Sequence, residues 1–426
     1  MVPERILTAA RVGSPGFISE GSGVRRKALI AIVVGLALIA TGCGKSKKSS
    51  KKSSKAATEA AATRTVNVDG QTDKFNGAFL AYFPNEVQVR PGDTVDFKEI
   101  FTGEPHSVTM GTLVEAGLSA AKAVPKDAPP NTPPPAGFAS LPTMLPEGPG
   151  DANQNGAQPC FLDSEKPPTD VKTACPKVPQ PAFNGRQSYY NSGFLPEGKV
   201  YSVKLADDIT PGAYHYYCNL HGPDMSGTIT VKPKGSTIPS AAEVENAGKS
   251  QLADHVSKVE AAHTDAIAGK ALPAGATALA GFGVESDQTT LVDEFIAPVI
   301  NTKVGQKVTW AVNGPHTISF NADPAAQPVI AVAPDGAVHL KPASMGPAGG
   351  PGVTSPESSG PPPSGPPKLG KVTDGGKFDG TGFKSSGFVP PGPPPLLGYS
   401  LTFTKAGTYS YVCLVHPKMG GVVKVT

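Results

Sequence analysis

Two short stretches carry the residue types in this chain that do chemistry. The first, YHYYCNLHGPDM, spans residues 214–225 and sets a cysteine, a histidine and a methionine at 218, 221 and 225. The second, YSYVCLVHPKM at 409–419, repeats the order with Cys413, His416 and Met419. Each is preceded at a distance by a Pro-His pair, in GEPHSVTM at 103–110 and NGPHTISF at 313–320, which adds His106 and His316. Thiolate and thioether are soft ligands and imidazole is borderline. One thiolate, two imidazoles and a long axial thioether describe a blue-copper electron-transfer site. A lone cysteine at a strand end is most often a small buried hydrophobe, and a lone methionine is core packing. It is the repetition of the whole set, His106, Cys218, His221, Met225 and then His316, Cys413, His416, Met419, that favours a metal. Zinc fits poorly, because structural zinc takes two to four thiolates and the five cysteines contain no CxxC pair.

The segments that must position these residues also occur twice. GDTVDF at 92–97 lies over GQKVTW at 305–310, YNSGFLPEG at 190–198 over SSGFVPPG at 385–392, and the strands leading to each Cys align over 201–221 and 399–416. Alternating apolar residues broken by Pro-Gly and Gly turns predict short strands, and an internal repeat of this kind predicts two β-sandwiches. In each, the Cys ends a strand, the following loop carries His and Met, and the other His comes from a separate strand. Ser107 and Thr317, beside the first His, either hydrogen-bond to the Cys loop or are ordinary strand polar residues. His215, three before Cys218, points to the opposite face of its strand and is read as a non-ligand.

At this point the motifs resemble the cupredoxins, the plastocyanin, pseudoazurin and amicyanin group. The shared pattern is a G-x-x-V-x-[F/W] strand, Pro-His-[S/T], then C-x2-H-x(2–4)-M, with C-x2-H-x2-M in the second copy and C-x2-H-x3-M in the first. The resemblance implies an all-β fold of two tandem cupredoxin-like Greek-key sandwiches, at 64–234 and 281–426, with one type 1 copper site in each. A helical linker at 235–280 joins them, with Val244, Leu252, Val256 and Val259 near helical spacing and with His255 and His263 expected to face solvent. Pro/Gly-rich inserts, about 111–185 and about 340–395, are expected to be irregular.

The first 43 residues read as a signal peptide. Arg25, Arg26 and Lys27 precede an uncharged apolar run too short for a spanning helix. It ends in Ala40-Thr41-Gly42-Cys43, which resembles a bacterial lipobox, so Cys43 is the expected lipidation site. Residues 44–63, rich in Lys, Ser and Ala, read as a disordered tether. In an exported protein, Cys160 and Cys175, the pair left over, are expected to form a disulfide.

The chain has 426 residues and a net charge of +3, with 49 Gly, 46 Pro and 17% charged residues. That balance implies no nucleic-acid partner and suits turn-rich β-structure. The expected function is membrane-anchored, extracytoplasmic single-electron transfer, with membrane or extracytoplasmic redox proteins as donor and acceptor. Copper buffering without a redox partner is the alternative. An enzyme of the nitrite-reductase type is less favoured: of the eight histidines, His215, His255, His263 and His339 share no motif that would build a further copper centre.

Overall fold

The computed structural model describes residues 60–100, 103–122, 159–163, 179–284, 287–323, 330–332, 338–340, 368–389 and 395–426. The signal segment with Cys43, most of the tether, and Cys175 lie outside the described residues.

The fold is all-β. In the first half, alternation in TRTVNV buries Val66 and Val68 on one face of the strand Thr63–Val68, and Thr94–Glu99 buries Val95 and Phe97 in the same way. These two strands run parallel, with Val68 opposite Glu99. With Tyr82–Phe83 and Val200–Lys204 at their flanks they form a four-stranded sheet. A six-stranded sheet faces it, in the order Glu86–Val89, Gly222–Val231, Gly212–Cys218, His106–Met110, Tyr189–Leu195, Pro159–Leu162. Between them lies a core that takes Val66, Phe97 and Val203 from one sheet and Val87, Tyr216 and Ile229 from the other. Tyr216 packs edge-on against Tyr82 and Phe97 at 4.8 and 4.9 Å. Each such side chain taken fully out of water contributes about 1.5–3 kcal/mol.

The second half repeats the arrangement. Ala278–Val284 runs parallel to Lys307–Val312, with Ala280 opposite Val312, and Gly407–Val412 pairs antiparallel with Gly420–Val425. Trp310, Tyr399 and Phe403 on one sheet meet Phe320, Tyr411 and Val423 on the other, with Trp310 edge-on to Tyr411 at 5.4 Å.

The two halves share structure, and the described residues pack as one compact unit. The strand Gly77–Phe79, from the first half of the sequence, pairs antiparallel with Asp287–Ile296 and becomes the edge of a sheet of the second half. The close approach needs glycine, since a Cβ on Gly77 would stand 2.2 Å from the Leu291 carbonyl oxygen. The helix Ala241–Ile267 opens on a capping box between Ser240 and Glu243, which satisfies otherwise orphaned N–H groups. It lays Leu252, Val256 and Val259 onto Phe75, Phe79 and Phe83 from one half and Val292 from the other. Among the described residues no helix is long and apolar enough to cross a membrane.

His255 and His263 depart from the sequence expectation. His255 bonds Asp287, and His263 bonds the Glu294 carboxylate at 2.8 Å while its ring packs at a tilt against Phe75. Positions 252, 255, 256, 259 and 263 follow the i, i+3, i+4, i+7 progression of one helix face. The two histidines therefore continue the docked stripe instead of facing water.

The inserts also hold more order than their composition suggests. Thr112–Lys122 is a helix whose Val114 and Leu118 pack with Tyr189, Tyr217 and Cys160. Leu369–Phe378 is a strand running parallel to Leu396–Phe403. The glycines that make it look like loop are required there: a Cβ on Gly375 would meet the Tyr399 hydroxyl at 2.2 Å.

Candidate metal centres

In the first half, His106 opens the strand His106–Met110, which lies beside Gly212–Cys218 with Thr109 opposite Tyr217. Cys218 therefore ends its strand next to His106. The turn that follows brings His221 back, and the next strand carries Met225. Nδ1 of His106 lies 3.1 Å from Nδ1 of His221, and the Cys218 Sγ lies 4.0 and 3.4 Å from those two nitrogens. In the second half the Nδ1 atoms of His316 and His416 are 3.0 Å apart, and the Cys413 Sγ is 3.8 Å from each. Metal–nitrogen bonds of about 2.0–2.1 Å and metal–thiolate bonds of about 2.3 Å require donors roughly 3–4 Å apart, so both triads have room for one ion. Met225 and Met419 are fully buried in the same cores as Cys218 and Cys413.

The sulfurs are held from behind. The Ser107 and Thr317 N–H groups each donate to the cysteine Sγ at 3.4 Å. Their hydroxyls accept from the loop after the cysteine, from Asn219 N at 2.9 Å and from Leu414 N at 2.8 Å. Of the two sequence alternatives for these residues, loop support is the one observed. His215 lies away from the centre and pairs with Glu115 on the insert helix, ring to carboxylate at 2.7 Å.

The outer nitrogens of three of the four histidines meet carboxylates. The Nε2 of His106 meets Asp69 at 3.2 Å, that of His221 meets Glu104 at 2.8 Å, and that of His416 meets the other oxygen of Glu104 at 3.4 Å. A ring that donates from Nε2 presents an unprotonated Nδ1 to the centre, which is how outer partners fix the ligating tautomer. His316 is placed sterically instead: a Cβ on Gly281, at φ +75°, would stand 2.0 Å from its Nε2.

Burial alone would raise both thiols. The neighbouring rings, His221 and His106 in one centre and His316 and His416 in the other, outweigh it and hold Cys218 and Cys413 well below the usual thiol range. That favours the thiolate, the ligating form. Burial likewise opposes ionisation of Glu104, but the hydrogen bonds from His221 and His416 keep it well below the carboxylate range. Asp293, 3.7 Å from the His416 Nδ1, is pushed by burial up to about 8.

Sequence reasoning missed the carboxylates Asp69, Glu99, Glu104 and Asp293. A signal for three of them existed in the comparison of the two copies. Strand register aligns Asp69 with Gly281 and Glu99 with Val312, and the Pro-His motif aligns Glu104 with Gly314. Each is an acid in one copy where the other has a residue that cannot ionise. Cys160 is buried and disulfide-bonded; Cys175, its expected partner, is outside the described residues.

No protein-family profile matches the chain, and no curated protein matches it. Among solved structures, a dithionite-reduced auracyanin from the photosynthetic bacterium Roseiflexus castenholzii is similar, at 19% identity over 40% of this chain and 97% of that one, with a TM-score of 0.19. Auracyanin B is similar at 16% identity over 41% of this chain and 90% of its own, with a TM-score of 0.20. An amicyanin variant is similar at 12% identity over 40% and 82%, with a TM-score of 0.18.

Proposed function

We propose that this chain is a membrane-anchored, extracytoplasmic blue-copper protein that carries single electrons between redox partners. The observation that carries the proposal is the duplicated donor set. In each half two imidazole Nδ1 atoms and one cysteine Sγ face one another within 4.8 Å, all buried or nearly so, with a buried methionine in the same core. The donor chemistry fits copper: one thiolate, two imidazoles and a thioether suit Cu(I) and Cu(II) and disfavour the harder divalent ions. His106, Cys218, His221 and Met225 would hold one ion, and His316, Cys413, His416 and Met419 the other. When bound, the metal supplies a reversible one-electron couple.

The chain's own residues do the rest. The strands hold the histidines and the cysteine in place. The Ser107 and Thr317 N–H groups steady the sulfur. Asp69 and Glu104 hold protons on Nε2 so that Nδ1 stays free. Burial keeps water out, so few groups need to move when charge changes. Cys43 would carry the lipid anchor on the outer face of the bacterial cytoplasmic membrane, and the lysine-rich tether would let the folded unit reach a membrane donor and a nearby acceptor. This is the role of a carrier rather than a catalyst.

The test is a visible spectrum and a copper assay of the loaded full chain, repeated for Cys218→Ser and Cys413→Ser. The expected result is two coppers per chain and an intense thiolate-to-copper absorption, of which each variant loses one part. Unchanged spectra in both variants would overturn the assignment. Copper bound without reversible one-electron titration would favour the buffering alternative.

A further inference from the structure

The two candidate centres meet at a single side chain. Glu104 sets one carboxylate oxygen 2.8 Å from the His221 Nε2 and the other 3.4 Å from the His416 Nε2. Its side chain is 8% exposed and that of His416 is 0% exposed, so carboxylate, not open solvent, fills the space between the rings. The flanking Gly103 lets the backbone of the first half lie directly on the ligand loop of the second: a Cβ there would be 2.7 Å from the Pro417 Cδ and 3.0 Å from the His416 Cα. Asn76 ties the same loop down, donating from Nδ2 to the Pro417 carbonyl at 3.1 Å and to the Asp293 carbonyl at 2.8 Å.

Only a carboxylate suits this position. With Nδ1 of each ring turned to its cysteine, both Nε2 atoms carry hydrogen and both donate. An ionised carboxylate accepts through two oxygens and donates nothing. A glutamine would accept from one ring and confront the other with its own N–H groups. The aligned residue of the second copy, Gly314, has no side chain, so one acid serves both centres.

We propose that Glu104 is the bridge through which one electron passes between the two centres, from the His221 ring to the His416 ring or back. This rests on the copper assignment proposed above. In the step one centre gives up a single electron and is oxidised, and the other takes it and is reduced. No bond forms or breaks, no proton departs, and no third reactant is needed. Tunnelling decays steeply across empty gaps and more gently along bonded and hydrogen-bonded atoms. Here the path from ring to ring crosses two hydrogen bonds and one carboxyl carbon.

The experiment uses the copper-loaded full chain. Cys413→Ser and Cys218→Ser supply the paramagnetic resonance spectrum of each centre alone; if neither shows a thiolate-bound copper, the copper assignment fails and the bridge falls with it. Wild-type chain is then photoreduced with less than one electron per molecule, and the distribution between centres is followed by rapid-freeze sampling. The electron is expected to settle quickly into a fixed ratio. In Glu104→Leu, with both spectra retained, settling is expected to slow by an order of magnitude or more, and Glu104→Gln, which keeps one hydrogen bond, should fall between. Both spectra retained with wild-type settling in Glu104→Leu overturns the bridge. If Glu104→Leu loses a spectrum, Glu104→Gln decides: slower settling supports the bridge, and an unchanged rate overturns it.

Discussion

Asp69 and His106 form a fully buried contact, carboxylate to Nε2 at 3.2 Å, both side chains 0% exposed. The same place in the second half holds Gly281 against His316. The Asp69 carboxylate should favour the more positive, oxidised state of a copper in the first half. Asp69→Asn should raise the first potential and leave the second nearly unchanged. One charge at this range and an effective dielectric near 20 is worth on the order of 2 kcal/mol, or about 100 mV for one electron. A spectroelectrochemical titration that finds no shift of the first potential in the variant, or an equal shift of both, refutes this.

Gly281→Ala tests the steric placement of His316. The substitution puts a Cβ 2.0 Å from the His316 Nε2 at a residue whose φ is +75°. The backbone strain alone is of order 1–3 kcal/mol, and the ring must leave its position. Copper content should fall from two to one per chain, with the spectrum of the first centre intact. Retention of both coppers in the assay would show that the ring has another way to reach the site.

The docked helix predicts an acid-sensitive seam away from the metal centres. Burial would raise the Asp287 carboxyl, but hydrogen bonds from His255, Thr289 and Thr290 outweigh it and hold the group at about 2 against an ordinary 3.8. Because the folded value is the lower one, the contribution to stability is complete above the ordinary value and is lost as pH falls towards 2. Wild-type chain should lose thermal stability more steeply below about pH 4 than Asp287→Asn, whose melting temperature is expected to be lower at neutral pH and flatter with acid. Parallel melting curves of the two proteins across that range would count against the pair.

Cys43→Ala should release the protein from membranes into the soluble fraction while leaving the copper spectrum unchanged. Fractionation followed by an absorption scan checks both halves of that expectation.

The fold was largely legible because its signals are periodic and occur twice. Alternation in TRTVNV and in the segments around GDTVDF and GQKVTW specifies half-buried strands, and the Cys at a strand end followed by His three residues later needs only a tight return to bring both rings to the sulfur. What escaped notice depends on long-range contacts. Glu104 is a loop acid until the second half packs over it, and only then does it face His416. Asp293 reads as a polar position on a strand, and its burial follows from a segment some 217 residues earlier in the chain, where Asn76 pairs with it. The apolar residues of the helix alone do not place His255 and His263; counting the helical spacing through 252, 255, 256, 259 and 263 puts both rings on the docked stripe.

The short strand Gly77–Phe79 makes the two-fold repeat in the sequence a poor guide to where the molecule can be cut. A fragment ending before the long helix would leave Gly77–Phe79 without the strand it pairs with. A fragment starting after it would present Asp287–Ile296 as a raw sheet border, with unpaired N–H and C=O groups open to any passing chain. The loan of this one strand makes the second half depend on the first for a finished sheet, although the sequence repeat alone suggests two separable pieces.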